Sequence, residues 1–508
     1  MSDMVLREVR LVPLDGAPTG REASAEPLDV VVRDGVIDQV GRRLDVPAGL
    51  PVLPGQGSWA IPGLWDQHVH MAQWGLTMTR LDVSGAAGPG DVVAAVGAHL
   101  GHRGAGTATG VLTGWGYRSA TWRELPTVAA LDAVSGSTPV VLVSGDGHNG
   151  WLNTAALQLF GAADRPGPLV ENEWFEIYTR LGDLPGSERE TELGVALAVS
   201  RARAKGVVGI VDLELARPWL QWPGRYAAGL GPFRVRTGVY PDRLDEVIGV
   251  GLATGDPISG TDGLVRMGPL KIISDGSLNT RTAWCCEPYA DGAELEDAAG
   301  SPNLPADQVH QLVGRAHQHG LQSALHAIGD RAVAVALQAF AATGAAGSIE
   351  HAQLLPLGVL SRWAGLPVRA SVQPAHLLDD RVVTEQCWPD RTARSFALRH
   401  LLDHGITLAL GSDAPVAPLD PWLAMAAAVH RGPAGAQAWH PEQALTPLEA
   451  LRASVDGRRI APGEPGDVVL LDHDPLAGGT PAEQADRLRS MTVGATVIAG
   501  RTEWSADG

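Results

Sequence analysis

The stretch Ile61-Pro62-Gly63-Leu64-Trp65-Asp66-Gln67-His68-Val69-His70 decides the reading of this chain: an apolar run that ends in His-x-His. On a β-strand alternate side chains share a face, so His68 and His70 are expected to project the same way. Two imidazoles converging at a strand end can hold one metal ion. Taken alone, the same spacing also fits two polar residues closing a strand.

Working outward from this run, apolar strand-like segments alternate with helical ones, the pattern of βα units around a parallel sheet. Strands are expected at residues 60–65, 207–213, 233–240, 270–274, 321–325, 347–349, 368–372 and 407–410, with helices at 307–319 and 330–342 among the intervals. Eight strands are what a TIM barrel needs, and its active sites sit where the strands end. Several of the runs end in a chemical group. Ser323-Ala324-Leu325 leads to His326, Ser348-Ile349-Glu350 to His351, and Leu408-Ala409-Leu410-Gly411-Ser412 to Asp413. In a barrel these would meet at one mouth with His68 and His70. Strand alternation points Glu350, next to His351, outward.

Lysine is nearly absent: only Lys205 and Lys271 occur, and arginine supplies the remaining positive charge. Lys271 sits inside the apolar run Pro269-Leu270-Lys271-Ile272-Ile273. A buried ammonium is costly, and a neutral amine can take up carbon dioxide to form a metal-bridging carbamate, which arginine cannot. A lysine that reaches the rim or pairs with an acid is the other reading.

The ends of the chain differ from its middle. Val30-Val31-Val32-Arg33-Asp34-Gly35-Val36-Ile37 reads as strand, Asp-Gly turn, strand. Residues 467–472 and 492–500 are further strand-like runs. Residues 1–58 and 456–508 are therefore expected to form one small β-sandwich domain. Residues 59–74 and 192–455 would form the barrel, and 75–191 an insertion covering its mouth. The fold class expected is α/β: a (β/α)8 TIM barrel, a β-sandwich built from both termini, and an insertion after the first barrel strand.

A net charge of −18 argues against non-specific binding to nucleic acid or anionic membranes. Three cysteines, two of them adjacent, are not a disulfide framework. No leader pattern or long apolar span is seen, so a cytoplasmic location is expected.

With these motifs in view the chain resembles the amidohydrolase superfamily, and within it the YtcJ-like or amidohydrolase-3 family. The matching runs include Lys271-Ile272-Ile273-Ser274-Asp275-Gly276-Ser277-Leu278, His326-Ala327-Ile328-Gly329-Asp330, Ile349-Glu350-His351-Ala352-Gln353, Ser371-Val372-Gln373-Pro374-Ala375-His376 and Gly411-Ser412-Asp413-Ala414-Pro415. Asp146-Gly147-His148-Asn149-Gly150-Trp151-Leu152-Asn153 is similar to the family's His-x-x-Trp-x-Asn segment. The family's following Gly-rich stretch is replaced here by Trp174-Phe175-Glu176-Ile177-Tyr178.

The resemblance implies that His68 and His70 bind a first metal and that His326 and His351 bind a second. Lys271, as a carbamate, would bridge them, and Asp413 would bind metal and carry the proton of the attacking water. One or two divalent ions are expected, zinc first, with manganese, iron or cobalt also suited to these donors. His148, Trp151, Asn153, Gln373, His376 and Arg281 are candidate contacts to a small-molecule substrate, and a homodimer is one assembly this reading allows. The reaction expected is hydrolysis of a non-peptide C–N bond in an amide, N-formyl or N-acyl compound. Ester, lactone or cyclic-amide hydrolysis and a catalytically inactive binding barrel are the alternatives.

Overall fold

The computed structural model describes residues 3–14, 26–102, 110–119, 122–145 and 147–506; Asp146 of the quoted runs lies outside them. Two compact units are present. The first comprises Met1–Val69, Val199–Asp413 and Ala417–Gly508, and the second His70–Ala198 with Ala414–Val416.

The first unit contains an eight-stranded, all-parallel barrel sheet. Its strands, numbered here in chain order, are β1 (Leu64–Val69), β2 (Val207–Asp212), β3 (Arg234–Val239), β4 (Val265–Ile273), β5 (Ser323–Ala327), β6 (Gly347–His351), β7 (Val368–Val372) and β8 (Leu408–Leu410). Each strand pairs with the next along the chain. The seam between β8 and β1 is closed just past the strand ends. There the Asp413 N–H donates to His68 O at 2.8 Å, and the Asp66 carboxyl accepts the Ser412 N–H at 2.9 Å.

The apolar run 60–65 is not one strand. Trp59–Pro62 pairs with Met4–Leu11 and Val468–Leu471 in the terminal sheet, and the barrel strand starts only at Leu64. Pro62 and Gly63 make the break. Proline has no N–H for a ladder, and a Cβ at Gly63 would lie 2.3 Å from the Val208 side chain, so only glycine lets β1 approach β2 there.

The terminal sheet joins both ends of the chain. Its strands run in the order Arg501–Ser505, Val493–Ile498, Val468–Leu471, Trp59–Pro62, Met4–Leu11, Leu28–Arg33 and Val36–Gly41, with Val52–Pro54 also paired to Met4–Leu11. The Asp34-Gly35 turn closes the expected hairpin. Leu6, Val30, Val32, Ala60, Val468, Leu470 and Val497 from both halves share one core, as in a sandwich. Each of the Leu and Val side chains among them, once fully buried, contributes about 1.5–3 kcal/mol.

The barrel seam is also braced from outside. Trp65 N–H donates to Ser454 O and Leu410 N–H to Ala453 O, just beyond helix Pro447–Arg452. That helix begins with a Thr446/Glu449 capping box, and Arg399 grips the Glu449 carboxylate with two N–H groups at 2.9 and 2.6 Å. The Arg399 bonds hold the Glu449 pKa down to about 2, from 4.5. A depressed carboxylate stabilises the fold fully above its unfolded pKa and loses that contribution as pH falls through the folded one. Glu449→Gln should therefore flatten the acid limb of stability between pH 4.5 and 2, read as the urea midpoint at each pH.

The second unit follows β1 in sequence. Its five-stranded sheet runs Leu169–Val170, Asn149–Leu152, Val140–Ser144, Leu112–Tyr117, Leu81–Asp82. Trp174, on helix Glu171–Arg180, packs flat on Gly150, where a Cβ would meet its ring at 2.1 Å, and its indole N–H donates to Gly147 O. Among the described residues no helix is long and apolar enough to cross a membrane.

Candidate metal centre

On β1 the pleat puts Asp66 and His68 on one face, inside the barrel. Both are buried. His68 Nδ1 lies 2.7 Å from Glu350 Oε2, so the ring donates its Nδ1 proton and turns its Nε2 lone pair the other way. Nε2 faces Lys271 Nζ at 3.1 Å and Asp413 Oδ1 at 3.3 Å. The other Asp413 oxygen is 4.0 Å from His351 Nδ1. Ligand atoms of His68, His351 and Asp413 all lie within 4.8 Å of one another. The His326 ring adjoins His351, with centroids 4.6 Å apart. The structure thus brings together His68, Lys271, His326, His351 and Asp413 from five strand ends or interiors.

Two of these side chains owe their direction to strained backbone. His351 has φ 70° and Asp413 φ 57°, in the left-handed region that L-residues seldom enter. The kink at His351 ends the alternation of β6, so Glu350 and His351 both serve the interior. This corrects the outward orientation that alternation predicts for Glu350. Its carboxylate is buried, takes a bond from the Ser348 hydroxyl on the same face, and fixes His68.

Burial governs the charges. His326 is pushed down to about 3, first by burial and then by the Lys271 charge. His68 and His351 move down for the same leading reason, leaving three neutral imidazoles with lone pairs to offer. Burial lowers Lys271 as well, favouring its neutral amine. Burial, the largest single influence, would raise Glu350, but the His68 bond, the His68 and Lys271 charges and the Ser348 bond together outweigh it and bring the acid to about 2. Such a set of neutral nitrogens and ionised oxygens has the chemistry of a divalent-metal site, and a protein carboxylate orienting a ligating imidazole is the usual supporting arrangement.

Sequence reasoning missed two buried acids. Asp66, two residues before His68, accepts N–H bonds from His68 and Ser412 and so ties β1 to the loop that carries Asp413. The i, i+2 spacing was the available signal. Asp275 accepts N–H bonds from Ile328, Gly329 and Trp284 and lies 3.5 Å from His326 Nε2, fixing the loop after β5. Burial raises both acids to about 7.

The other candidates divide. Gln373 Oε1 accepts from His351 Nδ1 at 2.8 Å, and His376 stacks beside His351 with its Nε2 3.1 Å from Ser412 O. Arg281 is engaged locally, by Asn279 O and the Asp291 carboxylate. In the second unit, His70 precedes helix Met71–Thr77 rather than lying on β1, and its N–H donates to Ala414 O. His148 packs edge-on against Phe175. Trp151 is wholly buried in that unit's core, bonded to Thr127 O. Asn153 caps helix Thr154–Phe160 and spends its amide on Ser135 and Thr138.

Comparison with known proteins adds four likenesses. A family model described as the amidohydrolase family matches residues 56–502. The YtcJ amidohydrolase of Bacillus subtilis is 28% identical over 500 residues, covering 88% of this chain and 91% of that protein. An N-substituted formamide deformylase of Arthrobacter pascens is 26% identical over 534 residues, covering 94% and 95%. In fold, an uncharacterized metal-dependent hydrolase from Pyrococcus horikoshii OT3 superimposes with a TM-score of 0.78 at 22% identity, over 94% of this chain and 99% of that one.

Proposed function

Because this chain belongs to the amidohydrolase family, we propose that it hydrolyses a non-peptide carbon–nitrogen bond of a small molecule, in an amide, N-formyl or N-acyl group, at a divalent-metal centre. One observation carries the reading: His68, His351 and Asp413 offer ligand atoms within 4.8 Å of one another, and the imidazoles are held neutral. The activity for which the Arthrobacter relative is named supports the substrate class.

His68, His326, His351 and Asp413 would hold the metal, zinc first among the ions these donors suit. His70, which lies beyond the end of β1, would be a further ligand on the family resemblance of the His-x-His run alone. Lys271 would serve as a ligand in carbamate form: its neutral Nζ would bond to the carbon of carbon dioxide and give up one proton, leaving a carboxylate-like anion. A divalent ion in this setting lowers the pKa of water toward 7 and polarises a carbonyl.

The protein's own groups do the rest. Glu350 and Gln373 fix which nitrogen of His68 and His351 faces the centre. Asp413 accepts the proton of the attacking water and returns it to the departing nitrogen, which leaves poorly unless protonated. Gln373 and His376, beside His351, are the substrate contacts this reading retains.

The test is metal analysis of the purified protein with a turnover screen on N-formyl, N-acyl, cyclic-amide and ester panels. Stoichiometric metal with turnover fastest on N-formyl or N-acyl amides is the expected result. Turnover confined to esters would overturn the bond assignment. Metal-poor, inactive protein would leave the barrel a binding scaffold.

A further inference from the structure

The amino-terminal end of the barrel, away from the histidines, holds a cavity of about 430 Å³. Its position follows from register. It is lined by Ser323, first residue of β5, and by Gly347 and Ser348 at the start of β6, whereas His326 and His351 come at the far ends of those strands. Arg236, Arg266, Arg369 and Arg458 also line it, with Asp456 as the one acid among its walls. Four guanidiniums gathered around one carboxylate are unexpected in a chain whose net charge is −18.

The internal pairing does not use up that charge. Arg236 takes both Asp456 oxygens, at 2.9 and 2.5 Å, and lies over the Trp65 ring. The Arg369 guanidinium is left 3.7 Å from the same carboxylate, is 31% exposed, and makes no hydrogen bond among the described residues. Arg266 gives one N–H to Gly255 O, and Arg458 reaches Glu464 only at 3.4 Å. Burial and the neighbouring Arg236 charge lower the Arg369 pKa, and the opposing Asp456 and Glu350 charges do not make up the difference. The Ser323 hydroxyl is buried without a hydrogen-bond partner among the described residues.

We propose that this cavity is a binding site for a small doubly charged oxyanion, a phosphoryl or dicarboxylate group, with Arg369 and Arg266 as its principal donors. Guanidinium forks match the paired oxygens of carboxylates and phosphates. A cavity of this size takes a small metabolite rather than a bare ion, falling within the usual range of about 300–1,000 Å³. None of the residues lining the cavity is a proposed metal ligand, although its Ser348 hydroxyl bonds the Glu350 that orients His68, and the proposal does not depend on what is hydrolysed at the metal centre.

The experiment is a thermal-shift titration of the full chain with inorganic phosphate, succinate, acetate and chloride at matched ionic strength. It uses the parent protein and the variants Arg369→Gln, Arg266→Gln and Asp413→Asn. Phosphate, succinate or both should raise the midpoint saturably in the parent and in Asp413→Asn, while acetate and chloride do not. Each arginine variant should weaken the response tenfold or more. Arg266 is exposed, so its variant reports even where Arg369→Gln folds poorly. Phosphate alone would identify the phosphoryl class, and succinate alone the dicarboxylate class. No shift with either dianion, a shift that survives in both arginine variants, or one that vanishes in Asp413→Asn would overturn the proposal, the last by tracing the binding to the metal centre.

Discussion

On the proposed mechanism Asp413→Asn is expected to lower kcat by about 10³-fold or more, because the amide could neither take the proton of the attacking water nor return it, and the usual worth of such a group is roughly 10²–10⁴. The fold should tolerate the variant, and metal content measured beside kcat separates the lost proton path from a weakened ligand set. The barrel seam uses the backbone N–H of residue 413, which is unchanged. The backbone there has φ 57°, a conformation that asparagine adopts more readily than most residues. The thermal midpoint should accordingly stay near that of the parent while kcat collapses. A variant that kept a tenth of the parent turnover would remove Asp413 from the proton path.

The second large effect belongs to Glu350. Glu350→Leu removes the acceptor of the His68 Nδ1–H and of the Ser348 hydroxyl, leaving both buried and unsatisfied. Each orphaned group costs about 1–3 kcal/mol. Losing the orienting carboxylate should also weaken metal binding about 10–100-fold. Glu350→Gln keeps an acceptor for His68, so it should retain most of the metal affinity and lose only the charge.

The two variants also separate in acid. With the folded pKa near 2 and the unfolded value near 4.5, the carboxylate stabilises the protein fully above pH 4.5 and ceases to do so as pH falls toward 2. Glu350→Gln lacks that slope. Metal content by mass spectrometry and unfolding midpoints from pH 7 to 3 check both statements. Undiminished metal in Glu350→Leu would reduce the residue to packing.

Much of this was legible in the chain because parallel strands buried on both faces write themselves as apolar runs, and a barrel sends all their ends to one side. His326, His351 and Asp413 could be read as a set for that reason. What was not legible depends on backbone that departs from the regular repeat. Glu350 was misdirected because alternation holds only until His351 enters the left-handed region. The 60–65 run was read as one strand because composition does not say where Pro62-Gly63 transfers the chain from one sheet to another. Trp151 and Asn153 illustrate a further limit: a motif records that residues go together, and the core and cap contacts they make within the second unit emerge only from the fold.

The bond from the Asp413 amide to His68 has a kinetic corollary. Residues 66 and 412, which flank the same junction, are 346 positions apart in sequence. Bringing such distant segments together is entropically slow, so the ring of strands should shut late in folding. Partly folded chains would carry the separate imidazoles without a coordinating geometry. Cations would then act on this protein chiefly as a latch on the finished ring, slowing its reopening more than they hasten its formation.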